Sequence, residues 1–176
     1  IHEESEILKQ DGTPYTVFTP YKNKWIHQFS PIDSQKSPLT NTCNFMECSF
    51  KLMTLKELGF RKSRIQVPNY NLNVIDDYAE HRDFPSISGT SYLGTHLRFG
   101  TVSIREIVSN LDHNSTFLSE LIWREFFKQI LYNFPKVVHS NFKSKYDGVK
   151  WRNNPDEFKA WCEGKTGYPI VDAGMK

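Results

Sequence analysis

Apolar residues from Leu118 through Leu121, Ile122, Phe126 and Ile130 to Leu131 recur at steps of three and four, the spacing of one helix face, and Pro135 closes the run. The pattern predicts a helix over about residues 115–133. Ser103-Ile104-Arg105-Glu106 reads as a capping box opening a helix to about Leu111, because a hydroxyl and a carboxylate three residues apart can each satisfy the other's backbone amide. Asn154-Pro155-Asp156-Glu157 combines an N-cap, a proline at the first helical position and two acids against the helix dipole. Phe158 and Trp161 are expected to face inward from that helix, and Gly164 to end it. Capped helices in succession predict an all-α region over residues 73–176.

The first part of the chain has another rhythm. Gln10-Asp11-Gly12-Thr13-Pro14 is a turn signal, and the β-prone Tyr15-Thr16-Val17-Phe18-Thr19 before Pro20 predicts a hairpin or edge strand, a remnant of sheet within residues 1–25. Residues 26–72 are polar and irregular, with Pro31, Pro38 and Pro68. They are expected to be a linker carrying one short helix near 51–58, on Leu52, Leu55 and Leu58, closed by Gly59. The chain opens on Ile1 and stops at Lys176 with no helix-ending Gly or Pro after Val171-Asp172-Ala173. It is expected to be an internal piece of a longer protein.

Composition adds bounds rather than a function. The 176 residues, 38% hydrophobic and 14% aromatic, suffice for one ordinary core with an extended arm. A net charge of +2 and a pI near 8.4 do not announce a nucleic-acid binder. Cys43, Cys48 and Cys162 form no C-x-x-C pair, against a disulfide scaffold or zinc knuckle and for a reducing compartment. No apolar run approaches the roughly 18 residues of a membrane span, and no secretory signal opens the chain. An intracellular, cytoplasmic setting of bacterial type is expected, with no membrane and no obligate protein partner, as a monomer.

Three constellations could carry chemistry. Glu120, Trp123 and Phe127, at i, i+3 and i+7 of the predicted helix, place a carboxylate and two aromatics on one stripe, which can hydrogen-bond and stack a flat heteroaromatic. The structural alternative keeps Trp123 in the core and pairs Glu120 with Arg124 at i+4. Residues 136–152 carry Lys136, Lys143, Lys145, Lys150 and Arg152 against Asp147, interleaved with His139, Phe142, Tyr146 and Trp151. That mixture suits a nucleic-acid backbone and exposed bases, or a plain solvated surface. Gly89-Thr90-Ser91-Tyr92-Leu93-Gly94 joins glycines to hydroxyl donors suited to phosphate oxygens, or forms a turn before a helix. It is not a Walker loop, and Gly164-Lys165-Thr166-Gly167 lacks the upstream glycine of one. His81, His96 and His113 are too widely spaced for a metal site, and none is predicted.

The order of these pieces is more specific than any of them. Tyr78-Ala79-Glu80-His81-Arg82-Asp83-Phe84-Pro85 followed by Gly89 through Gly100 resembles the flavin-binding entry of the photolyase/cryptochrome family. Glu120-Leu121-Ile122-Trp123-Arg124-Glu125-Phe126-Phe127 looks like its substrate helix. Tyr146 through Trp151, Phe158 through Trp161 and Gly164 through Met175 match in register, and Tyr15 through Tyr21 is similar to the close of the family's N-terminal α/β domain. The resemblance implies a mainly α chain: residues 1–25 as the remnant of an α/β antenna domain, 26–72 as interdomain linker, and 73–176 as the N-terminal half of a helical FAD-binding domain.

It also implies roles. Tyr78, Thr90, Ser91, Tyr92, Leu93 and Gly94 would contact FAD, with Arg124 and Phe117 beside it. The family usually carries serine at position 94, and Gly94 leaves only a backbone amide there. Arg82 would face the backbone of UV-damaged DNA, while Glu120, Leu121, Ile122, Trp123, Arg124, Glu125, Phe126 and Phe127 would line the pocket for a dimer flipped out of the duplex. Trp123 would stack on the lesion and Glu120 hydrogen-bond a thymine edge. Trp151 resembles the outermost tryptophan of the chain that photoreduces the flavin, and Trp161 is expected in the core. The implied activity is light-driven repair of cyclobutane pyrimidine dimers, glutamate at 120 favouring that branch over those that usually carry glutamine. The alternatives are a blue-light flavoprotein sensor without repair and a non-enzymatic helical module. The piece alone is expected to be inactive and to hold flavin weakly, and the antenna chromophore stays unassigned.

Overall fold

In a computed structural model of the chain, which describes residues 1–30, 49–112 and 115–176, the periodic run around Leu121 is one long helix, Thr116–Asn133. Ser115 starts it, its hydroxyl accepting the Leu118 amide at 3.1 Å. The helices in chain order are α1 (Phe18–Gln28), α2 (Tyr78–His81), α3 (Leu93–Phe99), α4 (Ile104–Ser109), α5 (Thr116–Asn133), α6 (Pro155–Cys162) and α7 (Pro169–Met175), with short 3-10 turns at Pro135–Val138 and Ser144–Tyr146. Cys43, Cys48 and His113, and the middle of the stretch expected to be irregular, lie outside the described residues. Among the described residues no helix is long and apolar enough to cross a membrane. The chain divides into two compact units, Ile1–Asn133 and Phe134–Lys176.

The first unit is built on α5. Leu118, Leu121, Ile122 and Phe126 are buried, and α1 and α2 both lie against this helix. Contact with α1 is made by Tyr21 and Trp25, both buried. The Trp25 indole Nε1 donates to Glu125 Oε2 at 2.7 Å, and the backbone nitrogens of Ile1 and His2 donate to the same carboxylate at 2.7 and 3.5 Å. Burial, and then the Glu125 charge, pushes the Tyr21 phenol above its usual range. One turn on, the buried Gln129 donates to the Tyr15 carbonyl at 2.8 Å. A charge inside a core needs several donors, and this one has them.

The N-terminal strand is not there. The turn forms as expected, with Gly12 at φ 75° and Asp11 accepting from the Thr13 amide and hydroxyl at 2.9 and 2.6 Å, but it supports only an isolated bridge between Leu8 and Pro14. From Phe18 the chain is helical. Pro20 falls in the first turn, where its missing N–H costs nothing, and Phe18, Tyr21, Trp25 and Phe29 recur at helical steps. The helix expected near 51–58 is also corrected: it is a single turn. Thr54 and Glu57 cap it reciprocally, and Gly59 at φ 85° ends it through Phe60 N to Leu55 O at 2.9 Å. Leu52, 87% exposed, and its neighbours Leu55 and Leu58, also exposed, bury too little surface to offset the cost of propagating a helix. Helix α4 forms as expected, but Ser103 caps it by backbone geometry alone.

In the second unit Asn154 caps α6 as expected, its side chain accepting from the Asp156 and Glu157 amides at 2.9 and 3.2 Å, and Gly164 at φ 62° follows the helix. Phe158 and Trp161 do not face inward: they are 64% and 45% exposed and stack on each other at 5.8 Å. No apolar side chain of this unit is buried, because so short a segment cannot enclose large rings. Order comes instead from Asp172 on α7, whose carboxylate accepts from the Thr166 amide and hydroxyl, both at 2.7 Å, and from the Gly167 amide at 3.1 Å.

Trp25→Phe keeps an aromatic ring but removes a donor from the buried Glu125 together with part of the buried indole, and is expected to cost about 1–3 kcal/mol or more of unfolding free energy by denaturant titration. A loss indistinguishable from zero would remove this bond from the determinants of the α1–α5 contact. The Thr166 hydroxyl, before the two amides, holds the Asp172 carboxyl below the usual carboxylate range. A lowered folded-state value gives stability that is present above the unfolded value and lost as pH falls through the folded one. Protection of the Thr166 and Gly167 amides from exchange is therefore expected to fall on acidification from about pH 5 to 2, and Asp172→Asn to abolish that acid-side step.

Candidate functional site

Between α2, α3 and α5 the first unit holds an open cleft of about 410 Å³. Each wall has a local cause. Helix α2 is one turn and stops at Arg82; the chain then folds back through bonds from Phe84 N to His81 O and Ile87 N to Phe84 O, each 3.0 Å. This brings Gly89 against α2, where a Cβ would sit 3.2 Å from the His81 Cβ. Tyr92 then adopts a left-handed conformation, φ 55°, to turn the chain into α3. His96 of α3 links its Nε2 to the Pro68 carbonyl at 3.0 Å and its Nδ1 to the Thr101 hydroxyl at 2.8 Å, and Asn71 N donates to Ser91 O at 2.8 Å. The cleft-forming loop is thus held from both sides.

The cleft lining combines polar and apolar groups. Thr90, Ser91, Gly94 and Arg124 bring hydroxyls, backbone and a guanidinium, and Tyr78, Leu93, Phe117 and Leu121 bring apolar surface. Tyr78 meets Phe117 edge-on at 5.0 Å. Arg124 donates to the Leu97 carbonyl at 3.3 Å. At the mouth, Arg82 Nη1 donates to Glu120 Oε1 at 2.5 Å and the guanidinium lies 5.3 Å from the Tyr78 ring centroid. That carboxylate raises the Arg82 pKa further, and burial lifts the Tyr78 phenol, opposed by Arg82. The arrangement offers a cationic donor and a carboxylate acceptor side by side, above a surface fit for a flat ring and an anion.

Of the residues singled out in the sequence, Tyr78, Arg82, Thr90, Ser91, Leu93, Gly94, Phe117, Glu120, Leu121 and Arg124 converge on this cleft. Tyr92 is half-exposed and outside its lining. Ile122, Glu125 and Phe126 are buried in the core and have no face to offer a ligand, because eight consecutive helical residues point all round the axis. Glu120 pairs with Arg82 of another element and not with Arg124 at i+4. Trp123 stacks face to face on Phe18 at 3.5 Å and lies 5.4 Å from the exposed Phe127, beside the cleft. Trp151 belongs to the second unit and is 75% exposed there. His81, Phe84, Pro85, Ile87, Gly89 and Leu97 also line the cleft. Nothing in the chemistry of those residues marks them; their proximity to Tyr78 and Gly94 in sequence was the available signal. Among the described residues no group of three His, Cys, Asp or Glu side chains is placed to hold a metal ion.

Residues 117–176 match the family described as the FAD binding domain of DNA photolyase. The chain is 32% identical over 200 residues to the deoxyribodipyrimidine photo-lyase of Alkalihalophilus pseudofirmus, covering 99% of this chain and 41% of that protein. Those of Halobacterium salinarum and Escherichia coli are 32% and 33% identical to it over 99% and 97% of its length, which is 42% and 41% of theirs. The chain spans about two fifths of the length of these curated relatives.

Two glycines of the cleft should respond oppositely to a side chain. A Cβ at Gly89 crowds His81, whereas one at Gly94 meets nothing within 4 Å. Gly89→Ala is expected to lose about 1 kcal/mol or more of stability and Gly94→Ser to stay within about 0.5 kcal/mol of the parent, both by denaturant unfolding. Equal effects would mean that the contact between Gly89 and α2 does not set the cleft wall.

Proposed function

We propose, from the premise that this chain belongs to the DNA photolyase family, that it forms one wall of the flavin and lesion pocket of a deoxyribodipyrimidine photo-lyase, an enzyme repairing cyclobutane pyrimidine dimers in DNA. The observation that carries the reading is the pairing of Glu120 with Arg82 at the mouth of a cleft whose inner wall holds hydroxyls, a guanidinium and aromatic rings. FAD is the cofactor of the matched domain, and when bound, reduced and excited by light it supplies the electron that splits the dimer.

The residues present fit that cofactor. Thr90 and Ser91 can donate hydroxyls to phosphate oxygens, and Arg124 uses one nitrogen on Leu97 and keeps its remaining donors for negative charge. Tyr78 and Phe117 give an apolar surface beside them. The carboxylate on this wall, Glu120, is already matched by Arg82, so an anion entering the cleft meets no uncompensated negative charge. Gly94 offers its backbone amide, where open space would also admit a serine. Tyr92 supports the turn into α3 rather than the cleft wall.

On the substrate side, Arg82 and Glu120 hold each other until a ligand offers both a better partner: a phosphate for the guanidinium and a pyrimidine N–H for the carboxylate. Glu120 then accepts from the base edge and steadies the charge that develops there. Phe18 fixes the plane of the Trp123 indole, which presents itself to the extruded bases. The carboxylate at 120 favours the cyclobutane branch of the family over branches with glutamine. Trp151, exposed on its own unit, is the proposed outer member of the electron chain that reduces the flavin.

In the full-length protein carrying this chain, Glu120→Gln is expected to lower the yield of dimer splitting per absorbed photon with little loss of lesion affinity. Trp123→Ala is expected to weaken binding of dimer-containing DNA by about 1–3 kcal/mol. Light-dependent loss of thymine dimers and titration with damaged DNA read the two separately. No repair by parent protein with fully reduced flavin bound would overturn the assignment, and identical losses in both variants, tracking stability alone, would return α5 to a structural role.

A further inference from the structure

The chain's charge is unevenly placed. Residues 134–153 hold five Lys and Arg against one Asp, a charge of +4, so the rest of a chain of net charge +2 sums to −2. A second stretch, residues 51–64, also carries five Lys and Arg against one Glu; within the second unit the positive excess lies wholly in residues 134–153. Lys136, Lys143, Lys145 and Lys150 are exposed there, and none has a carboxylate partner among the described residues. Asp147, the acid of the stretch, spends Oδ1 on the Asn141 amide and side chain, at 3.3 and 2.8 Å, and Arg152 is matched by Glu157.

The stretch is ordered without being neutralised. Phe134 meets Phe142 edge-on at 5.2 Å, Asn141 is tied to Asp147, and the two 3-10 turns shorten the path between lysines. Lys145 lies over the Tyr146 ring at 4.9 Å, and Trp151 is exposed between Lys150 and Arg152. Like charges held close in a short frame repel one another, which favours a polyanion with regularly spaced charges. Exposed rings among the lysines favour nucleic acid over an acidic protein surface.

We propose that residues 136–152 are a second DNA contact, which grips the phosphodiester backbone independently of any lesion. It rests on the reading that DNA is the partner, but on residues distinct from the cleft. The contact gains free energy by releasing counterions condensed on the phosphates, so it carries affinity and salt dependence and no sequence or damage preference.

The test is binding of the full-length protein to undamaged and dimer-containing duplex across a salt series. The combined substitution Lys143→Gln, Lys145→Gln and Lys150→Gln touches exposed side chains only, and far-UV circular dichroism checks that the fold is kept. Its affinity for undamaged duplex is expected to fall about tenfold or more at low salt, with the log–log salt slope shallower by roughly 2–3. The preference for damaged over undamaged duplex should not change. The corresponding Lys→Arg triple is expected to keep the parent slope. Unchanged affinity and slope in the glutamine variant, or equal loss in the arginine variant, would overturn the proposal. Loss of damage preference on Trp123→Ala, at constant slope, reads the lesion site alone, so the failure of either assignment is distinguishable from that of the other.

Discussion

The rotation of α5 about its own axis is fixed by one buried carboxylate. Glu125 sits in the core with the Trp25 indole and the first backbone nitrogens donating to it, and turning it away would strand a charge among apolar side chains. At about 100° per residue, that anchor dictates the rest. Leu118, Ile122, Phe126 and Gln129 share its side and pack inward with it, while Phe117, Glu120, Leu121 and Arg124 fall on the adjoining side and line the cleft. Trp123 and Phe127 take the remaining sector, next to Glu120 but not in the same wall. The hydrogen bond that docks α1 thus also aims the cleft residues, and sequence distance between Trp25 and Glu125 is no measure of their coupling.

The polar pair at the cleft mouth has the opposite character. Arg82 and Glu120 are each about one third exposed, so water competes for both ends and the pair contributes little to folding. What it does is keep two charged groups aimed at one place without net field. A pair so readily opened can be exchanged for a ligand's own charges at small cost, which a buried pair could not. Rigidity at Glu125 and exchangeability at Glu120 are separated by little more than one helical turn.

Where a residue's fate depends on its neighbours in sequence, it was legible. The α5 stripe, the Asn154 cap and the Gly12 turn follow from spacing and local donors, and each formed. The strand expected at Tyr15–Thr19 is absent because the three- and four-residue spacing of Phe18, Tyr21, Trp25 and Phe29, which buries Tyr21 and Trp25 on α5, outweighs the local β preference before Pro20. The helix near 51–58 had the right spacing and no surface to bury it on; the inward Phe158 and Trp161 had the same defect. In the cleft, the polar and aromatic side chains were legible through the ordered motifs. The contiguous run 120–127 was not divisible into core and cleft faces until its anchor was known. The partner of Glu120, 38 residues away, lies beyond any rule of helical spacing.

With Arg82 and Glu120 cancelling each other, the cleft mouth has no charge with which to draw a polyanion from a distance. In the proposed role, recognition there is short-range, through shape, stacking and hydrogen bonds that discriminate between bases. Long-range attraction has to arise elsewhere, where charge of that sign accumulates, as it does in the +4 of residues 134–153. Capture and discrimination are then carried by different residues. On the proposed reading, a substitution in the cleft changes which DNA is held, and one in the basic stretch changes how fast and how tightly any DNA is held at a given ionic strength.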